Sequence, residues 1–255
     1  MNKIIKLILI FCLCLFAYAG WIKYRSMDYS DGGPPLAVRW EGAYHDYNFR
    51  DIGASLNQCL GKQIFRPDMI MRSAGWFSGW SCEDVGNPEI IYSLNYSPVK
   101  KERYFCQKED GKIIGRYFNE NIKLNDLEFI ENWSNKEMKD ATCRFLEDIF
   151  QSTINAKKTL IHCTAGRDRT GTFSALIIAL TAEHFNLLDQ PMIDAIECDY
   201  QKTESLTKEK HGRIRNFLRQ IQTQGSISQF IEQQCDIPES TIKAMAEKMI
   251  NPALK

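Results

Sequence analysis

The run His162-Cys163-Thr164-Ala165-Gly166-Arg167-Asp168-Arg169-Thr170-Gly171 constrains this chain more than any other stretch. An apolar, strand-like lead (Leu160, Ile161) enters it and an apolar helical run (Phe173 to Leu180) leaves it. A strand that turns directly into a helix aims a fan of backbone N–H groups, and the positive end of the helix dipole, at one point. Such a point binds an anion. Cys163 opens the loop, so its thiol lies over that anion hole, where a helix N-terminus and nearby cations favour thiolate. Arg169 closes the loop after five intervening residues, and its guanidinium can fork onto two oxygens of a tetrahedral oxyanion. The backbone of Thr164, Ala165, Gly166 and Arg167 is expected to line the hole. Thr170 is expected to N-cap the helix with its hydroxyl turned toward the sulfur, and His162 to brace the loop rather than act as a ligand or base.

Length and charge bound the possibilities. A chain of 255 residues suits one domain with a sizeable core and a short appended piece. Lys+Arg 32 balance Asp+Glu 32, so net charge gives no reason to expect nucleic acid as a partner. With four His and no Cys-x-x-Cys, neither a metal site nor a cofactor is expected.

At the N-terminus, Lys3 and Lys6 precede an apolar run from Leu7 to Ala19 that ends in Ala17-Tyr18-Ala19 before Gly20. A basic start, about a dozen apolar residues and an Ala-x-Ala end are expected of a secretory signal peptide. Export to the periplasm or beyond is therefore the expectation for localisation. The alternative is an uncleaved membrane anchor, extended by Trp21, Ile22 and Tyr24. The organisation is then 1–19 signal or anchor, 20–39 linker and 40–255 the folded domain. Beyond Ala19 seven cysteines remain: Cys59, Cys82, Cys106, Cys143, Cys163, Cys198 and Cys235. That odd count fits one free thiol with up to three bridges, or a set of buried apolar cysteines.

Upstream, Trp40 to Asn48 is aromatic-rich and extended in character. It enters Asn48-Phe49-Arg50-Asp51-Ile52-Gly53, followed later by Arg72-Ser73. Asn48, Arg50 and Asp51 read either as a polar cluster buttressing the loop or as a capped turn with a local Arg–Asp pair. Arg72 reads either as an ion-pair residue that supports the site or as a solvated strand end. Pro88 to Leu94 is a short strand candidate, and Lys100 to Lys123 a surface hairpin able to overhang the site, with turns at Asp110-Gly111 and Gly115. Leu124 to Phe150 carries helical apolar spacing through Leu127, Ile130, Trp133, Met138, Phe145, Leu146 and Ile149. Helices are also expected over 172–186, 192–203 and 211–222, with a pair over 226–246 around Asp236-Ile237-Pro238.

The loop, with its strand, helix and His162 neighbour, resembles that of the Cys-dependent tyrosine and dual-specificity phosphatases. The bacterial members are the most similar, and their loop usually reads His-Cys-x-Ala-Gly-Lys-Asp-Arg-Thr-Gly. An Asn-Phe-Arg-Asp-Leu-Gly segment and a later Arg-Ser pair open that family's catalytic domain in the order found here. The resemblance implies an α/β fold: a central, mostly parallel sheet flanked by helices, with a C-terminal helical pair. It also implies hydrolysis of a phosphate monoester through a phosphocysteine on Cys163, with Arg169 holding the phosphoryl oxygens. The substrate is expected to be protein phosphotyrosine, with dual specificity or phosphoinositide activity as alternatives. Arg167 stands where relatives carry Lys. Relatives also carry an acid after the Pro88–Leu94 strand, where this chain has Tyr92-Ser93-Leu94-Asn95. Asp168 is therefore the first candidate proton donor, and its other reading is a carboxylate salt-bridged to Arg167 or Arg50. A non-catalytic phosphate-binding module is the rival of another class; the presence of both Cys163 and Arg169 speaks against it.

Overall fold

The structure, a computed structural model, describes residues 11–18, 48–77, 79–95, 105–115, 124, 126–203 and 208–254. Residues 11–18, within the expected signal or anchor, form an exposed helical segment. The rest of that segment, the linker, and the stretch from Trp40 to Tyr47 lie outside the described residues. No helix among those described is long and apolar enough to cross a membrane.

The central sheet has four strands: β1 (Arg50–Asp51), β2 (Ile70–Ala74), β4 (Ile90–Ser93) and β7 (Thr159–Cys163), in the order β1-β2-β7-β4. β7 runs parallel to both β2 and β4, while the short β1 lies antiparallel on the edge. β2 and β7 are buried at every position, as a parallel sheet covered on both faces requires. Alternation sorts the side chains between the faces. Ile70, Tyr92, Ile161 and Cys163 join a large helical core, whereas Met71, Ile91 and Leu160 join a smaller cluster with Phe77, Trp80, Val85 and Ile114. That second face is covered by a three-stranded sheet of β3 (Trp80–Ser81), β5 (Phe105–Gln107) and β6 (Ile113–Gly115). The expected hairpin is therefore β5–β6, turning at Asp110-Gly111, but Gly115 is a strand residue paired with Phe105 rather than a turn.

The helical face is built from α1 (Ile52–Leu60), α2 (Lys136–Ile154), α3 (Asp168–His184), α4 (Gln190–Gln201), α5 (Arg213–Gln222), α6 (Ile227–Cys235) and α7 (Glu239–Met249). The expected C-terminal pair is α6 and α7. The long helix expected over 124–150 is broken. Residues Ile130–Ser134 form a 3₁₀ turn, and Asn135 then N-caps α2 by accepting from the Met138 N–H at 3.1 Å. An Asx cap outcompetes continuation there, because its side chain satisfies a donor that the helix leaves orphaned. Leu127 and Trp133 still enter the core, from outside the helix.

Three disulfides form, Cys59–Cys198, Cys82–Cys106 and Cys143–Cys235. Of the seven cysteines beyond Ala19, Cys163 alone is free. The bridges join α1 to α4, the small sheet to itself, and α2 to the end of α6.

Candidate active site

β7 delivers Cys163 to the C-terminal edge of the sheet between two parallel neighbours, and five residues later the chain is already helical at Asp168. The turn is tight because Gly166 takes a left-handed φ of 63° and packs against β2. A Cβ there would lie 2.4 Å from the Ser73 carbonyl and 2.6 Å from the Ala74 nitrogen. No other residue type fits both demands.

The loop carbonyls are held from outside. The Thr164 carbonyl accepts from Gly75 N–H at 3.1 Å and the Arg167 carbonyl from Gly171 N–H at 2.7 Å. The Gly166 carbonyl accepts from Arg72 Nη2 at 2.8 Å and from Asn48 Nδ2, which also reaches the Ala165 carbonyl at 3.4 Å. No peptide among the described residues is cis, so each N–H points opposite its carbonyl. The N–H groups of Ala165, Gly166, Arg167 and Asp168 thus face away from the bracing side chains, and those of Ala165, Gly166 and Asp168 make no hydrogen bond among the described residues. This is an anion-binding nest at a helix N-terminus.

Cys163 is buried at the foot of the nest, with 3% of its surface exposed. Arg169 donates from Nη1 to the Leu94 carbonyl at 2.8 Å and from Nη2 to Thr164 Oγ1 at 3.2 Å. These two contacts fix the guanidinium against the end of β4; Thr164 in turn donates to Asn95 Oδ1 at 2.7 Å. Asn95, just past the end of β4, thus becomes a prop for the loop, and its buried Nδ2 has no partner among the described residues. His162 is fully buried, lies edge-on to Phe77, and sits with Nδ1 3.3 Å from the Cys163 carbonyl. Burial pushes its pKa down to about 3, so the ring is neutral at ordinary pH.

Asp168 has all its acceptors engaged. Oδ1 accepts from the Tyr200 hydroxyl at 2.8 Å, and Oδ2 from Lys210 Nζ at 2.6 Å and Arg167 Nε at 3.1 Å. Burial alone would raise its pKa, but the Lys210 and Tyr200 hydrogen bonds and the Arg167 charge outweigh that and hold the carboxyl below its usual range. Tyr200 is shifted the opposite way, upward, by burial and then by the Asp168 charge. Its ring packs so closely on the first turn of α3 that a Cβ on Gly171 would lie 2.7 Å from it.

The polar segment upstream divides. Asn48, at a left-handed φ of 58° rather than extended, reaches the loop directly as above. Arg72 holds the loop directly at the Gly166 carbonyl, and Arg50 is tied to Arg72 through a shared carboxylate, Asp199, rather than through Asp51. Arg50 Nε lies 2.7 Å from Asp199 Oδ1 and Arg72 Nη1 2.6 Å from Oδ2. Arg50 also donates to the Asn48 side chain, which accepts from Thr203 Oγ1 at 3.1 Å. Arg72 is fully buried in a central strand, and desolvation lowers its pKa to about 10, leaving it charged at neutral pH. Of the two readings offered for Arg72, the solvated strand end is excluded.

Two expectations are corrected. Asp51 does not buttress the loop. It N-caps α1 through the Ala54 N–H and accepts from the Asp68 N–H at 2.7 Å, because a carboxylate at the start of a helix finds those orphaned donors first. Thr170 is not the N-cap of α3. The helix starts at Asp168, with Arg167 at its N-cap, which places Thr170 inside its first turn with a buried hydroxyl that makes no hydrogen bond among the described residues.

Sequence reasoning missed Asp199, Ser55, Lys210 and Asn95. Asp199 and Tyr200 fall on the helix expected over 192–203, and both side chains face the loop machinery. Lys210 and Asn95 carried no local signal. No group of His, Cys, Asp or Glu among the described residues could hold a metal ion.

The family comparison agrees with this geometry. No curated protein gives a match. Residues 125–251 match the family model described as Tyrosine phosphatase family, a span that includes the whole loop, Asp199 and both C-terminal helices. With its parallel sheet, its Cys-to-Arg loop and that match, the chain belongs to the Cys-dependent tyrosine phosphatase family.

Proposed function

We propose that this phosphatase hydrolyses phosphate monoesters through a phosphocysteine on Cys163, with protein phosphotyrosine as the preferred substrate class. The observation that carries the reading is the nest itself. Four loop carbonyls are tied outward, the N–H groups oppose them, and the one free thiol beyond Ala19 stands at its foot. The Cys163 thiolate attacks phosphorus in line, the ester P–O bond breaks, and water later cleaves the P–S bond. The loop N–H groups and Arg169 stabilise the equatorial oxygens, more strongly as charge builds in the transition state.

The leaving oxygen needs a proton. Asp168 lies in the loop, but three donors keep it ionised in the unliganded protein. Its contacts support a role as anchor for two rim cations, Arg167 and Lys210. It becomes a proton donor only where substrate charge draws those cations off it. The same pair of cations supports a second substrate reading, a phosphoinositide, whose additional phosphate would meet them. Dual specificity remains within this proposal.

Three disulfides among the described residues support an oxidising compartment. With the basic-then-apolar N-terminus, they favour export, or display by an uncleaved anchor, over a reducing interior.

The test is phosphate release from a phosphotyrosine peptide and from a phosphoinositide. Wild type is expected to act on the peptide, Cys163→Ser to be inactive on both, and Arg169→Lys to lose at least ~100-fold by analogy with a lost oxyanion donor. Turnover that survives Cys163→Ser overturns the mechanism, and a marked preference for the lipid moves the substrate assignment to phosphoinositides.

A further inference from the structure

Asp199 lies on α4, outside the loop and outside the upstream polar segment, yet the bracing of the loop converges on it. It is buried, and its carboxylate accepts from Arg50 Nε at 2.7 Å, Ser55 Oγ at 2.6 Å and Arg72 Nη1 at 2.6 Å. Its main-chain carbonyl accepts from Arg50 Nη2 at 2.6 Å. The other terminal nitrogen of Arg72 holds the Gly166 carbonyl at 2.8 Å. A guanidinium is a rigid plane, so seating Nη1 on Asp199 decides where Nη2 meets the loop. The position of one carboxylate is thereby transmitted to the Gly166–Arg167 peptide and to the N–H on its far side.

The residue beside Asp199 is Cys198, bonded to Cys59 on α1. Ser55 lies four residues before Cys59, one turn along that helix. The Ser55–Asp199 hydrogen bond and the disulfide are therefore two rungs of one clamp between α1 and α4. Lys202 adds a third, from Nζ to the Ser55 carbonyl at 3.2 Å and Gln58 Oε1 at 2.7 Å. Cys59 and Cys198 are both partly exposed, within reach of a small thiol.

We infer that Asp199 is a positioning residue for the phosphate loop, acting through Arg72, and that the Cys59–Cys198 bridge makes the loop's grip on phosphate dependent on oxidising conditions. The inference rests on the phosphatase reading of the site. The redox step is thiol–disulfide exchange with a dithiol: two electrons and two protons pass to the bridge, giving two cysteine thiols, and the dithiol closes to its own disulfide. α1 and α4 then lose their covalent tie, the Ser55 rung loosens, and the Arg72 fork loses its fixed end. Cys163 is already a thiol and gains nothing from the reductant. The expected response to reduction is thus loss of activity.

The experiment uses the full chain, kept free of oxygen without reductant. Hydrolysis of an aryl phosphate and calorimetric binding of inorganic phosphate are measured together, with near-ultraviolet circular dichroism as the check on packing. Asp199→Asn is expected to weaken both kcat and phosphate affinity by about tenfold or more, the scale of a small misplacement in a preorganised site. The double variant Cys59→Ser with Cys198→Ser is expected to lose about three- to tenfold in both with near-native dichroism, whereas Cys143→Ser with Cys235→Ser stays within about twofold. Dithiothreitol is expected to lower wild-type activity in step with alkylation of Cys59 and Cys198, and to leave the Cys59/Cys198 variant unmoved. Should Asp199→Asn fail to fold, the Cys59/Cys198 variant carries the test.

Unchanged phosphate affinity and kcat in that variant and in reduced wild type overturn the inference, as does an equal loss in the Cys143/Cys235 control. In those outcomes an active wild type and an inactive Cys163→Ser leave the phosphatase reading standing. A wild type that neither hydrolyses the ester nor binds phosphate overturns both.

Discussion

His162 and Asp168 lie on either side of the loop and are perturbed in opposite senses of charge. The imidazole is kept neutral by burial, with its pKa pushed down to about 3. Since the unfolded chain takes up that proton near pH 6.5, folding stability contributed by the neutral ring is lost as pH falls from about 6.5 toward 3, on the order of 5 kcal/mol in all. His162→Gln should therefore flatten the acid side of a stability profile measured by urea unfolding across that window. A profile with unchanged slope contradicts the assignment. Asp168 is the reverse case, a carboxylate held ionised by Lys210, Tyr200 and Arg167 against its burial. If it anchors the rim cations, Asp168→Asn lowers kcat/KM by about tenfold, equivalent to ~1.4 kcal/mol, with the shape of the pH–rate profile retained. A variant whose profile loses one limb instead assigns proton delivery to Asp168.

At the scale of elements, the difference between Asn48 and Asp51 is instructive. Three residues apart, they serve different structures: Asn48 holds the Ala165 and Gly166 carbonyls, and Asp51 holds the first turn of α1. Asp51→Ala should cost ~1 kcal/mol in unfolding free energy, the loss of one helix cap. Asn48→Ala should instead weaken inorganic phosphate binding, read by calorimetry, by more than Asp51→Ala does. Equal effects on phosphate affinity contradict the division. The loop was legible in the sequence because its chemistry is local, a strand, a turn through Gly166 and a helix within ten residues of each other. Thr170 was misread, and Asp51 stood open between a loop buttress and a capped turn, because helix starts shift by one or two residues with cap chemistry that sequence spacing does not resolve. Asp199 was out of reach for another reason. Its partners, Arg50, Ser55 and Arg72, are between 127 and 149 residues away in the chain, and only the packing of α4 against α1 and the β1–β2 edge of the sheet brings them together.

Across the whole molecule, one arrangement accounts for the site. A parallel sheet is covered by helices on one face and by a small cystine-linked sheet on the other. Its C-terminal edge carries the free thiol, and the buried Arg72 of β2, with Asn48, holds the loop carbonyl of Gly166 from behind. The sheet order and the disulfide pairs followed from neither composition nor periodicity, because both are set by contacts far apart in the chain. The central claim is chemical: phosphorus bonds to Cys163 during turnover. Rapid acid quench of the wild-type chain with an aryl phosphate, followed by peptide mass spectrometry, tests it most directly. The account predicts a phosphorylated Cys163 peptide that appears within the first turnover and is absent from Cys163→Ser. Steady hydrolysis with phosphate on another residue, or with no phosphorylated peptide at all under conditions that preserve thiophosphate, contradicts it.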